Sequence, residues 1–459
     1  MANQNHLPDP RDNKLGVMPI GKLLFSMATP LVLSMLVQAL YNIVDSIYVA
    51  QISENAVTSL SLAFPVQNLQ IGCATGIAVG VNSLLSKSLG EGRRDRANKA
   101  AGNGFFLMGV ATILFVIFGI FGARPFFAMQ SDVEEIVEGG TAYISICCTY
   151  TGGVFVAILC ERLLQATGRP VYTMITQATG AIINILLDPV FIFGWFGVPE
   201  MGLAGAAVAT VIGQWCGAVL GFILNLKCNP DLKIHLKEMK PDLKVIGPIL
   251  TVGIPSIIMM GIGSVMNFGM NQIFLGFPEV GNTAAGVFGI YYKLQSFFFM
   301  PLFGLNNATI SIVAFNYGAR RRSRIVKTLK MAVGTAMFFM VMGLLAFMLA
   351  PELLLGIFNP TESFMRIGIV ALRIISIHFP VAAVGIALGA SFQALGNGIY
   401  STVTSLCRQL VALLPAAYLL SLSGNVDLVW WAFPIAEVVS VTFSLIFFVR
   451  IYKQKIKPL

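Results

Sequence analysis

Asp45 lies within LVLSMLVQALYNIVDSIYVA and Asp188 within MITQATGAIINILLDPVFIFG, two apolar runs long enough to cross a membrane. An ionised carboxylate in hydrocarbon costs about 2.5–3.5 kcal/mol on insertion scales, so such residues are rare and mark ion or substrate paths. Each aspartate has polar neighbours at helical spacing. Gln38, Asn42 and Asp45 succeed one another at intervals of four and three, and Gln177, Asn184 and Asp188 at seven and four. Thr210 and Gln214, four apart, continue the pattern in a later run. Residues three or four apart share a helix face, so each set is a single stripe. Counted from the outer ends of their runs, Asp45, Asp188 and Thr210 sit at one level, roughly 8–12 Å deep. Asn184 lies one turn deeper. Two carboxylates, an amide and a hydroxyl at matched depth suit an oxygen-lined site for Na⁺ or H⁺, built from Asp45, Asn184, Asp188 and Thr210. For Asn42 or Gln214 alone, helix-to-helix glue is the plainer reading.

The elements that must hold these groups are membrane helices. The chain has 459 residues, 56% hydrophobic and only 11% charged. Twelve apolar spans are predicted: 23–50, 57–86, 101–123, 134–162, 171–196, 202–226, 244–276, 283–314, 325–350, 364–392, 399–422 and 427–451. Backbone groups must be satisfied internally in lipid, which makes the class all-α. No sequence remains for a soluble catalytic domain. The net charge of +9 does not indicate nucleic acid, because Lys and Arg gather in alternate loops such as 87–99, 227–244 and 320–330. The intervening loops hold mostly acids. The positive-inside rule places both termini in the cytoplasm, which twelve spans permit. The polar start, MANQNHLPDPRDNKLGVMP, reads as a mobile tail without a signal peptide. The seven cysteines show no metal or disulfide spacing and read as small apolar helix residues.

The two halves repeat. LQATGRPVYT at 164–173 returns as FQALGNGIYS at 392–401, and GEGRRDR at 90–96 as GARRRSR at 318–324, both 228 residues on. Pro30 and Asn42 pair with Pro255 and Asn267 at an offset of 225. Six spans per repeat give two lobes of the same orientation, a known transporter plan with substrate between the lobes. The expected organisation is a cytoplasmic tail at 1–22, an N-lobe at 23–226, a linker at 227–243, a C-lobe at 244–451 and a tail at 452–459. In the C-lobe, Ala412 and Ala416 align with Asn184 and Asp188, and Met270 with Asp45. The acid site is therefore expected in one lobe only.

Polar candidates for the lining between lobes are Gln38, Asn42, Gln67, Gln177, Asn267 and Asn271. Lys293 lies about ten residues into its span and could balance Glu437 or contact an anionic substrate group. Arg373 and Arg408 could snorkel or bond carbonyls.

These residues resemble the multidrug and toxic compound extrusion (MATE) family. The carriers are VDS at Asp45, LQATGRP at 164–170, NILLDPVFIFG at 184–194, GAAVAT at 205–210 and FNYGARRRSR at 315–324. The resemblance implies twelve helices in two parallel lobes around a central V-shaped cavity. It also implies efflux of amphiphilic organic cations in exchange for Na⁺ or H⁺, with no other cofactor. The setting would be the inner or plasma membrane, amid lipid, as a monomer. Asp45, Asn184, Asp188 and Thr210 fall on the cation site of the DinF-type branch. The NorM-type branch places acids in the seventh and tenth helices, and those spans carry none at mid-depth here.

Other readings stay open at this level. A lipid-linked saccharide flippase of the wider superfamily would need a cationic cavity. A major-facilitator transporter shares the span count, but GEGRRDRANKA does not meet its loop signature. A membrane enzyme would need clustered His, Cys or acids, whereas His6, His235 and His378 are scattered.

Overall fold

The computed structural model describes residues 13–358 and 361–459. Among the described residues, ten helices are long and apolar enough to cross a membrane, and two bent pairs bring the number to twelve. In chain order they are α1 (Ile20–Ala50), α2 (Glu54–Gly90), α3 (Arg94–Ala128), α4 (Glu134–Thr149 with Gly152–Ala166), α5 (Pro170–Ile192) and α6 (Gly202–Cys228). The second half supplies α7 (Leu243–Leu275), α8 (Gly281–Gly318), α9 (Arg322–Leu349), α10 (Glu362–Ser376 with Phe379–Ala394), α11 (Gly398–Ser421) and α12 (Val426–Ile456). Among the described residues there is no strand.

The repeat is visible in the backbone. The bends in α4 and α10, 48° and 49°, fall at Tyr150–Thr151 and Ile377–His378, which the repeat offset superimposes to within a residue. The turn after each bent helix uses a left-handed glycine, Gly168 (φ +81°) and Gly396 (φ +75°). The loop after α2 turns through Gly92 (φ 74°), and its counterpart after α8 forces the same conformation on Arg320 (φ 56°). Such a φ favours glycine, so the turn geometry outlasts the residue best suited to it.

Within the N-lobe, α1 packs on α5, α5 on α6, α6 on α4, and α4 on α2. The C-lobe repeats the first of these contacts as α7 on α11 and closes with α8–α10 and α10–α12. The lobes meet through α2 with α7, and through α1 and α2 with α8. Gly72, Gly76 and Gly80 stand at four-residue spacing along α2, and a Cβ at each would meet Met260, Ile257 with Gly253, or the Ile249 carbonyl of α7. Small residues at that spacing let membrane helices touch backbone to backbone. Gly304 meets Val32 of α1, and Gly318 meets Lys87 of α2. Hydrogen bonds join the lobes at the same level: Ser311 Oγ to Asn82 Oδ1 (3.1 Å), Ser83 Oγ to the Gln393 carbonyl (2.8 Å) and Arg162 Nη1 to Asn307 Oδ1 (2.7 Å). Apart from the Gly72–Met260 contact at mid-helix, all of these lie in the halves nearest the basic loops. Towards the acidic loops, a Cβ at Gly261 of α7 or Gly289 of α8 would meet nothing within 4 Å.

Residues 1–12 of the expected mobile tail lie outside the described residues. Residues 13–18 are docked. Lys14–Val17 forms a short helix with Leu15 fully buried, and it bridges both lobes. Asn13 donates to the Thr167 carbonyl (3.0 Å) and to Asp231 (3.1 Å). On the other side, Asn316 and Arg324 donate to the Leu15 carbonyl (3.0 Å each), and Arg324 also to Met18 O (2.8 Å). Polarity here does not mean solvent: the segment is satisfied by an N-lobe carbonyl, a linker carboxylate and two C-lobe side chains.

Candidate functional site

The N-lobe acids are brought together by the packing of α1 on α5. Asp188 is fully buried and Asp45 nearly so, at 9% exposure. The two carboxyls, with Tyr41 beside them, are close enough to act on each other electrostatically. Asn184, one turn before Asp188, donates from Nδ2 to Asp188 Oδ1 (3.2 Å) and to Thr210 Oγ1 of α6 (3.3 Å). Thr210 is positioned by the glycine contact between α5 and α6, where Gly213 lies against Gly180. Pro189 has no N–H to give the Ile185 carbonyl, which leaves another backbone oxygen without its helical donor.

Three oxygens of this site lack donors. Asp45 Oδ1, Asp188 Oδ2 and Asn184 Oδ1 are all buried with no hydrogen-bond partner, as is Gln177 Oε1 nearby. Buried acceptors are normally satisfied, and a set left open together fits a bound cation or proton. A cavity of about 130 Å³ adjoins them, lined by Gln38, Tyr41, Glu161, Gln177, Asn184, Thr210 and Gln214. The aspartates do not reach its wall, and Asp188 joins it through Asn184.

Glu161 is a site residue that sequence reasoning does not single out. Beside Arg162, it looks like the charged end of a span. The bend at Tyr150–Thr151 carries it inside, where it is buried and accepts from Gln177 Nε2 (2.8 Å). A polar pair across neighbouring spans is the only signal for it, and a break within an apolar run hides such pairing.

The other lining candidates scatter. Gln38 is exposed on α1 and reaches the N-lobe cavity. Asn42 is exposed one turn on. Gln67 is held within the lobe by the Tyr143 hydroxyl (2.9 Å). Gln177 is tied to Glu161, and Asn267 lines a separate C-lobe cavity. Asn271 is half-buried and borders neither cavity. Lys293 is exposed on α8 and has no ion-pair partner among the described residues. It does not balance Glu437; Arg408 does, at 3.6 Å. Arg408 therefore neither snorkels nor caps a carbonyl, while Arg373 is exposed.

The alignment of Ala412 and Ala416 with Asn184 and Asp188 also shifts. α11 widens into a π-helical stretch over Cys407–Leu413, whereas α5 runs through as a regular helix. A π turn adds a residue to the helix, so the residues beyond it rotate out of step. The buried positions become Leu413 and Ala417 in place of Asn184 and Asp188. No carboxylate stands at either pair.

Twelve spans in two like-oriented lobes, with unpaired acids inside one of them, define a protein with the architecture of a secondary transporter. The family model described as MatE matches residues 30–190 and 255–419, one copy per lobe, and the chain belongs to that family. It is 22% identical over 426 residues to the multidrug export protein MepA of Staphylococcus aureus (strain bovine RF122 / ET3-1), covering 91% of each chain. Its fold matches a solved structure described as an outward-facing conformation of a multidrug resistance MATE family transporter of the MOP superfamily. That match has a TM-score of 0.88 at 23% identity and covers 97% of this chain and 99% of the other. A MOP superfamily transporter from Pyrococcus furiosus, whose binding pocket is described as reversed in polarity, matches with a TM-score of 0.85 at 23% identity, over 97% and 98% of the chains.

Proposed function

We propose that this chain is a secondary multidrug exporter, moving amphiphilic organic cations outward in exchange for Na⁺ or H⁺. The observation that carries the reading is the set of partnerless oxygens on Asp45, Asn184 and Asp188, in one lobe of a two-lobe fold. The similarity to a multidrug export protein supports the substrate class. The loop charges support a cytoplasmic position for both termini. A cation or proton bound at Asp45, Asn184, Asp188 and Thr210 removes like-charge repulsion between the carboxyls. The substrate, held between lobes, benefits from that same negative charge. The two ligands then oppose each other, which is the requirement for exchange. The DinF-type assignment rests on the same residues. The working unit in this reading is a monomer in lipid. The flippase reading needs free cationic groups in a cavity, and Arg408 is already faced by Glu437.

The test is efflux of rhodamine 123 from proteoliposomes, with Na⁺ and pH gradients imposed separately. One of the two gradients should drive accumulation against the dye gradient. Movement of dye that ignores both gradients, or none at all, refutes the exchange.

A further inference from the structure

On the side of the basic loops, the C-lobe holds an open crevice of about 510 Å³. It is lined by Arg322, Ser323, Val326, Lys327 and Lys330 of α9 and by Tyr452 of α12. We propose that it binds the head group of an anionic phospholipid in the leaflet on that side of the membrane. None of its residues lines the N-lobe or the C-lobe cavity, and the inference does not depend on what the lobes transport.

The repeat supplies the argument. The offset of 228 that relates GEGRRDR to GARRRSR sets Val326, Lys327 and Lys330 against Asn98, Lys99 and Gly102 of α3. In the N-lobe that surface is occupied by the chain's own linker. Asn98 Oδ1 accepts from the Lys233 N–H (2.9 Å), and Lys99 pairs with Asp242 (3.8 Å). The linker's short helical turn, Leu236–Met239, lies so close on α3 that a Cβ at Gly102 would run into the Glu238 backbone. A carboxylate and a strip of backbone thus fill the N-lobe version of the crevice. In the C-lobe, Lys327 and Lys330 are exposed, and neither has an ion-pair partner among the described residues. Where the linker needs a glycine the C-lobe has a lysine, and where it needs an amide the C-lobe has a valine. The features that hold a peptide are exchanged for features that hold an anion.

The walls specify which anion. Arg322 is set in place: its Nη2 donates to the Tyr452 hydroxyl (2.7 Å), and its guanidinium lies over the Tyr452 ring at 5.6 Å. Its remaining N–H donors are left for an anion. Lys327 and Lys330, three apart, share a face of α9. Basic pockets between membrane helices at the cytoplasmic surface suit phospholipid phosphates. The same face of α9 continues through Gly334, where a Cβ would meet nothing within 4 Å, to the half-buried Met337. On α12, Phe448 meets the Tyr452 ring (6.2 Å) and Leu445 is exposed one turn on. Both helices pack on the second half of α10. The crevice therefore runs on into an apolar path along two helices, which suits acyl chains and which a free phosphate would not use.

The test follows a tail-labelled fluorescent phosphatidylglycerol by anisotropy as it binds the purified full chain in neutral detergent. Lys327→Gln/Lys330→Gln should weaken it at least about tenfold, while Lys327→Arg/Lys330→Arg should stay within about twofold of wild type. Lys237→Gln/Lys240→Gln removes the same charge from exposed linker positions and should also stay within about twofold. At constant ionic strength, unlabelled phosphatidylglycerol should displace the probe, and phosphatidylcholine and millimolar inorganic phosphate should not. Wild-type affinity in Lys327→Gln/Lys330→Gln overturns the proposal. An equal loss in the two Gln pairs overturns it as well, because it reduces the effect to net charge. Displacement by inorganic phosphate would mark a site for soluble anions, and displacement by phosphatidylcholine a groove blind to charge; either result refutes the assignment.

Discussion

Gly80→Ala should tip the protein out of the conformation described here. Gly80 is buried in α2, and the Cβ it lacks would occupy the position of the Ile249 carbonyl oxygen of α7, with the carbonyl carbon 3.0 Å away. That neighbour is helix backbone beside Pro248 and cannot swing aside as a side chain can. The strain is relieved when the lobes separate on the side of the basic loops, because α2 and α7 belong to different lobes. Overpacking of this kind costs about 1–3 kcal/mol, which is roughly 5–150-fold in a two-state equilibrium. The fold of each lobe should survive, since the contact is between lobes. The assay is maleimide modification of Ser311→Cys in a chain whose native cysteines are replaced. Ser311 is fully buried and donates across the interface to Asn82, so it reports opening on that side. Its labelling rate should rise by the same factor, and dye efflux should fall. An unchanged rate in folded protein would show that the α2–α7 contact is not where the conformations differ.

Asp45→Asn and Asp188→Asn should each abolish gradient-driven efflux while the protein still inserts; wild-type rates at matched membrane levels would remove the basis of the N-lobe site. Ala416→Asp and Ala417→Asp should not create a second coupling site, because neither Met270 nor Leu413 supplies an oxygen, and each adds a penalty of about 2.5–3.5 kcal/mol; a changed ion-to-substrate stoichiometry would contradict this. Rhodamine 123 binding should weaken as Na⁺ rises or as pH falls, whichever ion couples, and titration of the bound dye against each separately decides it; indifference to both refutes competition.

Helix class, span order and the lobes are legible in the sequence because apolar length and loop charge report directly on lipid and leaflet. The N-lobe acids are legible for the same reason: a carboxylate in a long apolar run has few readings. The hidden features depend on breaks in helical periodicity. The bend at Tyr150–Thr151 moves Glu161 from a span end into the lobe. The π turn at Cys407–Leu413, which carries the Arg408 that faces Glu437, shifts the alignment at Ala412 and Ala416 by a residue. Helix breakers do follow both breaks, Gly152–Gly153 at the bend and Pro415 after the π stretch, but they mark a weak point without specifying a bend or a π turn. The docked helix at Lys14–Val17 is hidden for another reason. Its polar flanks are satisfied by residues far along the chain, Asp231, Asn316 and Arg324, and local polarity cannot distinguish such partners from water.

The two lobes share a backbone plan but differ in electrostatics, unpaired acids in one and a paired acid in the other, and this decides where an ion gradient can act. In the C-lobe, Glu437 already has a fixed guanidinium beside it. A Na⁺ or a proton arriving there gains little, since the charge it would neutralise is balanced. In the N-lobe, Asp45 and Asp188 act on each other with no ion-pair partner among the described residues, and each has an oxygen without a donor. A mobile cation arriving there relieves both repulsion and the missing hydrogen bonds. The free energy it releases is therefore tied to the packing of α1 on α5, and α1 also packs on α8 of the other lobe. The helix that feels the cation is thus one of the two N-lobe helices that contact α8 of the other lobe, which gives binding at one site a direct mechanical route to the interface.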